Sequence, residues 1–152
     1  MKEYIKFYLK KKKGSKNRTK ARLKVAKLHE KIANQRKDFL HKTSKKIIRE
    51  NQSIVIEELR VKNMIKNHKL AKSIADVSWS EFRRQLEYKS EWYGRELIIA
   101  PSNYASSQLC SNCGNKSSQT KDLSCRTYIC PVCGMEMDRD INASKNLLKL
   151  AM

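Results

Sequence analysis

The apolar positions change their period along this chain, and each change predicts a new element. From Lys16 to Arg49, Val25, Leu28, Ile32, Phe39, Leu40 and Ile47 recur at spacings near three, four and seven, with Lys and Arg between them. That is one face of an α-helix. Neither Pro nor Gly interrupts the run, so one long helix is expected, with Thr43-Ser44 as its point of weakness. Ahead of it, Met1 to Lys20 mixes Tyr4, Ile5, Phe7, Tyr8 and Leu9 with lysines and reads as a short helix ending in a break at Gly14-Ser15. The period then shortens. Ser53-Ile54-Val55-Ile56-Glu57-Glu58-Leu59 is a compact β-branched run and predicts a buried strand. Val61 to Val77 is basic and irregular, a loop with a short helix near Lys69 to Asp76. Trp79, Phe82, Leu86, Lys89 and Tyr93 restore the helical period, with the aromatics on a core face and Gly94 as the stop. Glu96-Leu97-Ile98-Ile99-Ala100 predicts a second strand closed by Pro101. A last helix runs over Asp140 to Leu150, with Asp138 or Asp140 as its cap. Helix and strand alternate, so the fold class is α/β.

Between the second strand and the last helix the apolar pattern stops and cysteines take over. Cys110, Cys113, Cys130 and Cys133 form two C-x-x-C pairs separated by residues 114 to 129. Two thiolates three residues apart on a tight turn reach one ion, and two such turns complete a tetrahedron. Gly114 and Gly134 follow the pairs and supply the left-handed backbone that the turn needs. The spacing predicts a structural Zn2+ ribbon. Two disulfides are the other reading of four cysteines, and nothing in the chain points to the oxidising compartment they require. Cys125 lies in the spacer without a partner and reads as an ordinary thiol.

Charge adds a partner to this picture. The net charge is +19, and residues 1 to 50 carry +15 of it, with 19 Lys and Arg against 4 Asp and Glu. A half that basic fits a polyanion, and DNA or RNA is the expected one. A membrane surface fits less well, because the basic half lacks a clean apolar stripe with Trp or Phe anchors. No run approaches the ~18 apolar residues of a spanning helix, and the basic start has no signal-peptide core or cleavage site. The sequence is that of a cytoplasmic protein.

Adjacent glutamates at a strand end are unusual. Glu57 and Glu58 face opposite sides of the strand, one toward a core face or cleft, or both simply emerging into solvent. Asp140 opens the last helix. Glu57 and Asp140 are suited to the two-metal chemistry that nucleases use.

At this point the sequence resembles a known family. The strand Ile54-Val55-Ile56-Glu57-Glu58-Leu59 looks like the second RuvC motif of the TnpB/OrfB transposon proteins, which are similar to the type V CRISPR effector nucleases. Ala105 to Gly114 resembles the family's approach to its zinc ribbon, and Tyr128 to Gly134 its exit. Asp138-Arg139-Asp140-Ile141-Asn142-Ala143 resembles the third RuvC motif, and Phe82, Leu86 to Lys89 and Gly94 fit the helix between. The resemblance implies an RNase H-like fold with an inserted DNA-binding ribbon and an RNA-guided DNA endonuclease activity. It implies Glu57 and Asp140 as the second and third catalytic carboxylates, working with Mg2+ where the site is complete, and Asp138 as a cap or neighbour. The family's first Asp belongs to a D-x-G strand that has no counterpart here. The expected architecture is a partial RuvC-like core. Residues 1–50 form a basic helical arm, 51–101 the partial core, 102–137 the zinc ribbon and 138–152 the last helix of the core. The expected function is that of a truncated TnpB/OrfB-type protein that binds nucleic acid and does not cleave alone. Two other readings stand beside it: a non-enzymatic zinc-ribbon regulator, and a nuclease completed by another chain that supplies the missing segment.

The charge asymmetry makes a measurable prediction. Affinity for DNA should fall with salt at a log–log slope near −0.9 per duplex phosphate contacted. A chain lacking residues 1 to 50 should show a much shallower slope, and equal slopes would remove the basic helix from the binding surface.

Overall fold

In the computed structural model, residues 2–118, 120, 122 and 124–152 are described. The chain divides into two compact units, Met1–Ser44 and Lys45–Met152, and each is taken by itself.

In the first unit, helix α1 (Lys2–Leu9) is followed by a turn and by the start of helix α2 (Lys16–Glu50). Ser15 caps α2, its hydroxyl accepting the Arg18 amide at 3.2 Å. Gly14 at φ 80° makes the turn. Arg18 reaches back to the Lys11 carbonyl at 2.8 Å and lies 4.7 Å from the centroid of the Tyr8 ring, which ties the two helices together. The single long helix expected here runs unbroken through its point of weakness at Thr43-Ser44. Ser44 is buried and donates its hydroxyl to the Leu40 carbonyl at 2.6 Å, so the helix satisfies it without opening. Ala21 is buried and Val25, Leu28 and Ile32 are half-buried, while Phe39 is 64% exposed and leaves the apolar face to Leu40.

In the second unit, strands β1 (Ser53–Glu57) and β2 (Glu96–Ala100) pair in parallel, in the register Ser53↔Glu96 to Glu57↔Ala100. Parallel strands require a crossover, here helices α3 (Val61–Met64), α4 (Ala71–Val77) and α5 (Trp79–Trp92). β1 is shorter than expected. Its partner ends at Ala100, and Pro101 has no amide with which to extend the ladder. Ile48, Ile54 and Leu86 form the core, with Ile47, Ile56, Phe82 and Leu97 packed against them. Lys89 shares the buried face, its ammonium 3.4 Å from the Gln85 side-chain oxygen. Tyr93, expected on the core face, is 44% exposed, because α5 ends at Trp92 and the chain turns there through Gly94 at φ 58°.

After β2 the chain forms the antiparallel hairpin of β3 (Thr127–Ile129) and β4 (Glu136–Asp138) and passes directly into α6 (Arg139–Leu148). Tyr128 is fully buried between Cys110, Cys130 and Met135. Two asparagines of α6, both buried, hold the approach to the first cysteine. Asn142 donates to the Leu109 carbonyl at 2.7 Å and accepts the Ser111 amide at 2.9 Å. Asn146 donates to the same carbonyl at 2.7 Å and to that of Ser106 at 2.9 Å. Asn142→Ala should cost about 1–3 kcal/mol, the penalty for leaving the Ser111 amide without its acceptor. Because the Leu109 carbonyl keeps one donor in either single variant, the Asn142→Ala, Asn146→Ala double variant should lose more than the sum of the two. Additive losses in denaturant unfolding would mean that the shared carbonyl does not couple them.

Candidate metal centre and acidic cleft

Each C-x-x-C pair folds into the same turn. The Cys110 amide donates to the Asn115 carbonyl at 2.8 Å, and the Gly114 amide returns to the Cys110 carbonyl at 2.9 Å. In the second turn Cys130 donates to Met135 at 2.9 Å and Gly134 to Cys130 at 3.0 Å. Both glycines have positive φ, 77° and 70°, and an added Cβ would meet nothing within 4 Å, so conformation alone calls for glycine. The two turns face each other. The Sγ atoms of Cys110, Cys113, Cys130 and Cys133 all lie within 4.8 Å of one another.

Across the turns, Cys110 to Cys133 and Cys113 to Cys130 are each 3.6 Å. A tetrahedron with zinc–sulfur arms of about 2.3 Å has edges of about 3.8 Å. The donor set therefore fits a four-coordinate soft-ligand ion. Polar groups aimed at two of the sulfurs favour thiolate, whereas Cys113, despite the Asn115 amide, is pushed up to about 12 by burial and by the three neighbouring sulfurs. The Met135 amide and then the Asn112 side chain bring Cys133 down to about 6, and the Cys133 amide lowers Cys130. Cys125 stands outside the group and donates to the Thr127 carbonyl at 3.1 Å.

The carboxylates lie on a separate feature of the same unit. A cleft of about 1080 Å³ is lined by both Glu57 and Asp140. Glu57, the last residue of β1, accepts the Ser106 hydroxyl at 2.5 Å. Since Asn146 holds the Ser106 carbonyl, the end of β1 is tied to α6 through one serine. Asp138 is the cap of α6 and takes the Asp140 amide at 2.8 Å and the Ile141 amide at 3.1 Å. That division of labour leaves the Asp140 carboxylate for the cleft.

Sequence reasoning did not single out the cations here. Arg60, Arg83 and Arg139 line the same cleft, as does Glu87, which pairs with Arg83 at 2.8 Å. The signal for Arg83 and Glu87 was present in their i, i+4 spacing beside the core position Leu86. Arg139 also donates to the carbonyls of Asp122 at 3.1 Å and Cys125 at 3.4 Å, and so pins the ribbon spacer to the start of α6.

Residues 79–147 match the family described as "Cas12f1-like, TNB domain", and residues 1–68 match the OrfB_IS605 family, described as "Probable transposase". A Streptomyces pristinaespiralis protein bearing the name "Putative RNA-guided DNA endonuclease" is 50% identical over 90% of this chain and 33% of its own length. An Escherichia coli K12 protein of the same description, InsQ, is 36% identical over 90% of this chain and 37% of its own. The TnpB-like protein L79 of Acanthamoeba polyphaga mimivirus is 32% identical over 91% and 27%. The chain thus spans about a third of the length of these relatives.

Among solved structures, a chain of the cryo-EM Cas12f1–sgRNA–target DNA complex superposes with a TM-score of 0.62 at 19% identity, over 99% of this chain and 41% of that one. A chain of the CRISPR-Cas12f ternary complex gives 0.64 at 23% identity, over 96% and 31%. These likenesses show the fold, a mixed α/β arrangement of the RuvC-containing kind that carries a four-cysteine ribbon.

The metal centre generates a direct test. One equivalent of zinc should copurify or titrate into the chain; Cys113→Ser and Cys130→Ser should abolish stoichiometric binding, and Cys125→Ser should leave it intact. Retention of a full equivalent by Cys113→Ser would exclude the four-sulfur site.

Proposed function

The chain belongs to the TnpB/OrfB family, and from that starting point we propose that it is a nucleic-acid-binding part of an RNA-guided DNA endonuclease system. In this reading Zn2+ sits in the four-cysteine ribbon and a divalent cation is held between Glu57 and Asp140. The basic arm, residues 1–50, and the zinc ribbon, residues 102–137, bind DNA and RNA. Residues 51–101 and 138–152 are the RuvC-like core.

The observation that carries the proposal is the shared cleft. Glu57 ends a strand and Asp140 opens a helix far away in sequence, and both line one cavity together with Arg60, Arg83 and Arg139. Oxygen donors of this kind suit Mg2+, which keeps several waters and takes one or two carboxylates. When bound, it would supply charge neutralisation at phosphate and an activated water. The chain's own residues orient that site. Ser106 fixes the Glu57 carboxylate, Asp138 relieves Asp140 of capping, and the arginines place a phosphodiester against the acidic pair.

Of the acidic residues lining the cleft, only Glu57 and Asp140 match the three catalytic carboxylates that the family resemblance calls for, Glu87 being paired with Arg83. The 152-residue chain by itself is therefore expected to bind DNA without cutting it, a further carboxylate being supplied from another segment or chain. No helix among the described residues is long and apolar enough to cross a membrane, and we assign the protein to the cytoplasm with its nucleic-acid partners.

Binding of Mn2+, read by electron paramagnetic resonance, should weaken about tenfold, or ~1.4 kcal/mol, in Glu57→Gln and in Asp140→Asn. Affinities equal to that of the unchanged chain would remove the cation from the cleft. In a cleavage assay with Mg2+ or Mn2+ the isolated chain should leave DNA intact. Robust cutting lost in Asp140→Ala would instead establish a complete site within these residues.

A further inference from the structure

Helix α5 presents a second surface feature that the cleft does not use. Trp92 is 74% exposed, a large aromatic area left in water at the end of a helix. It is not loosely held. The Tyr88 ring meets it at 4.6 Å between centroids and 66° between planes, an edge-to-face contact that fixes the indole. One turn earlier, the Arg84 guanidinium lies 5.4 Å from the Tyr88 ring centroid and is held by Glu81 through two bonds of 2.8 and 2.7 Å. Arg84, Tyr88 and Trp92 thus form an i, i+4, i+8 ladder of flat groups. With Glu87 and Glu91 they line a surface groove of about 550 Å³. Glu87 lines the acidic cleft as well, so the groove and the cleft are neighbours along α5.

The chemistry of the groove selects its occupant. A protein partner's apolar patch would have to bury the glutamates and the arginine beside one aromatic, at a desolvation cost that the indole alone does not offset. A phosphate is repelled by Glu87 and Glu91. A nucleobase fits both demands: its π-face covers the indole, and its amino edge can donate to a carboxylate. Its backbone then lies on the Arg84 side and continues toward Arg83 and the cleft. We propose that Trp92, braced by Tyr88, is a stacking platform for an unpaired base of a single-stranded nucleic acid led into the acidic cleft. This rests on the nucleic-acid reading above and adds to it a positioning residue for the base.

The test uses the full chain and three probes of equal length: a mixed-sequence single-stranded DNA, the same strand with abasic sites throughout, and the duplex. Trp92→Ala should weaken binding of the intact single strand about tenfold, while Trp92→Phe should keep most of it. The abasic strand and the duplex should bind Trp92→Ala and the unchanged chain equally well. Because the side chain is exposed, circular dichroism of the variant should match that of the unchanged chain. Equal affinity of Trp92→Ala and the unchanged chain for the intact single strand overturns the platform and leaves the nucleic-acid reading in place. An equal loss on the abasic strand also overturns it, since no base is then involved. If the unchanged chain binds none of the three probes, the platform falls together with the broader reading.

Discussion

One carbonyl oxygen, that of Leu109, accepts hydrogen bonds from two buried side-chain amides, those of Asn142 and Asn146. The functional geometry of the second unit depends on this point. The next residue is Cys110, the first sulfur of the cluster. Three residues earlier is Ser106, which holds Glu57 and is itself held by Asn146. Two residues before Asn142 is Asp140. A buried amide network of this kind is stabilising only when every member is satisfied, and here both asparagines reach backbone groups that no strand or helix would otherwise pair. The network binds the end of a strand, the opening turn of the ribbon and the last helix into one body.

The electrostatics of the cleft follow from that arrangement. Acidic and basic side chains line it together, and Glu87 is already matched by Arg83. A polyanion alone would meet repulsion from Glu57 and Asp140, and a cation alone would meet the arginines. A phosphodiester together with a divalent cation would satisfy both sets, in keeping with the function proposed above.

What the sequence revealed depended on how local each feature was. β2 occupies the residues expected of it, because an apolar run ending in proline carries its own boundaries. The four sulfurs were legible because three-residue spacing on a glycine-terminated turn fixes their geometry within a few residues. The expected strand over residues 53–59 overran, since the ladder ends where the partner strand ends, and that depends on register. The buried asparagines were invisible to pattern reading. Asn142 and Asn146 lie one turn apart in a helix whose polar positions read as solvent-facing, and only their backbone partners reveal them as interior. The joint presence of Glu57 and Asp140 at one cleft came from a family likeness rather than from periodicity. It is a product of parallel pairing and of the serine that ties Glu57 to Asn146 of α6.

The junction of the hairpin with the last helix has a mechanical consequence. Asp138 is at once the final residue of β4 and the cap of α6. No linker residue stands between the two elements, so only their terminal residues could absorb a change in backbone angle. Arg139 locks the junction a second time through the spacer carbonyls. The sulfur-bearing hairpin is consequently continuous with the last helix, and any change of backbone angle between them falls on Asp138 and Arg139, immediately before Asp140.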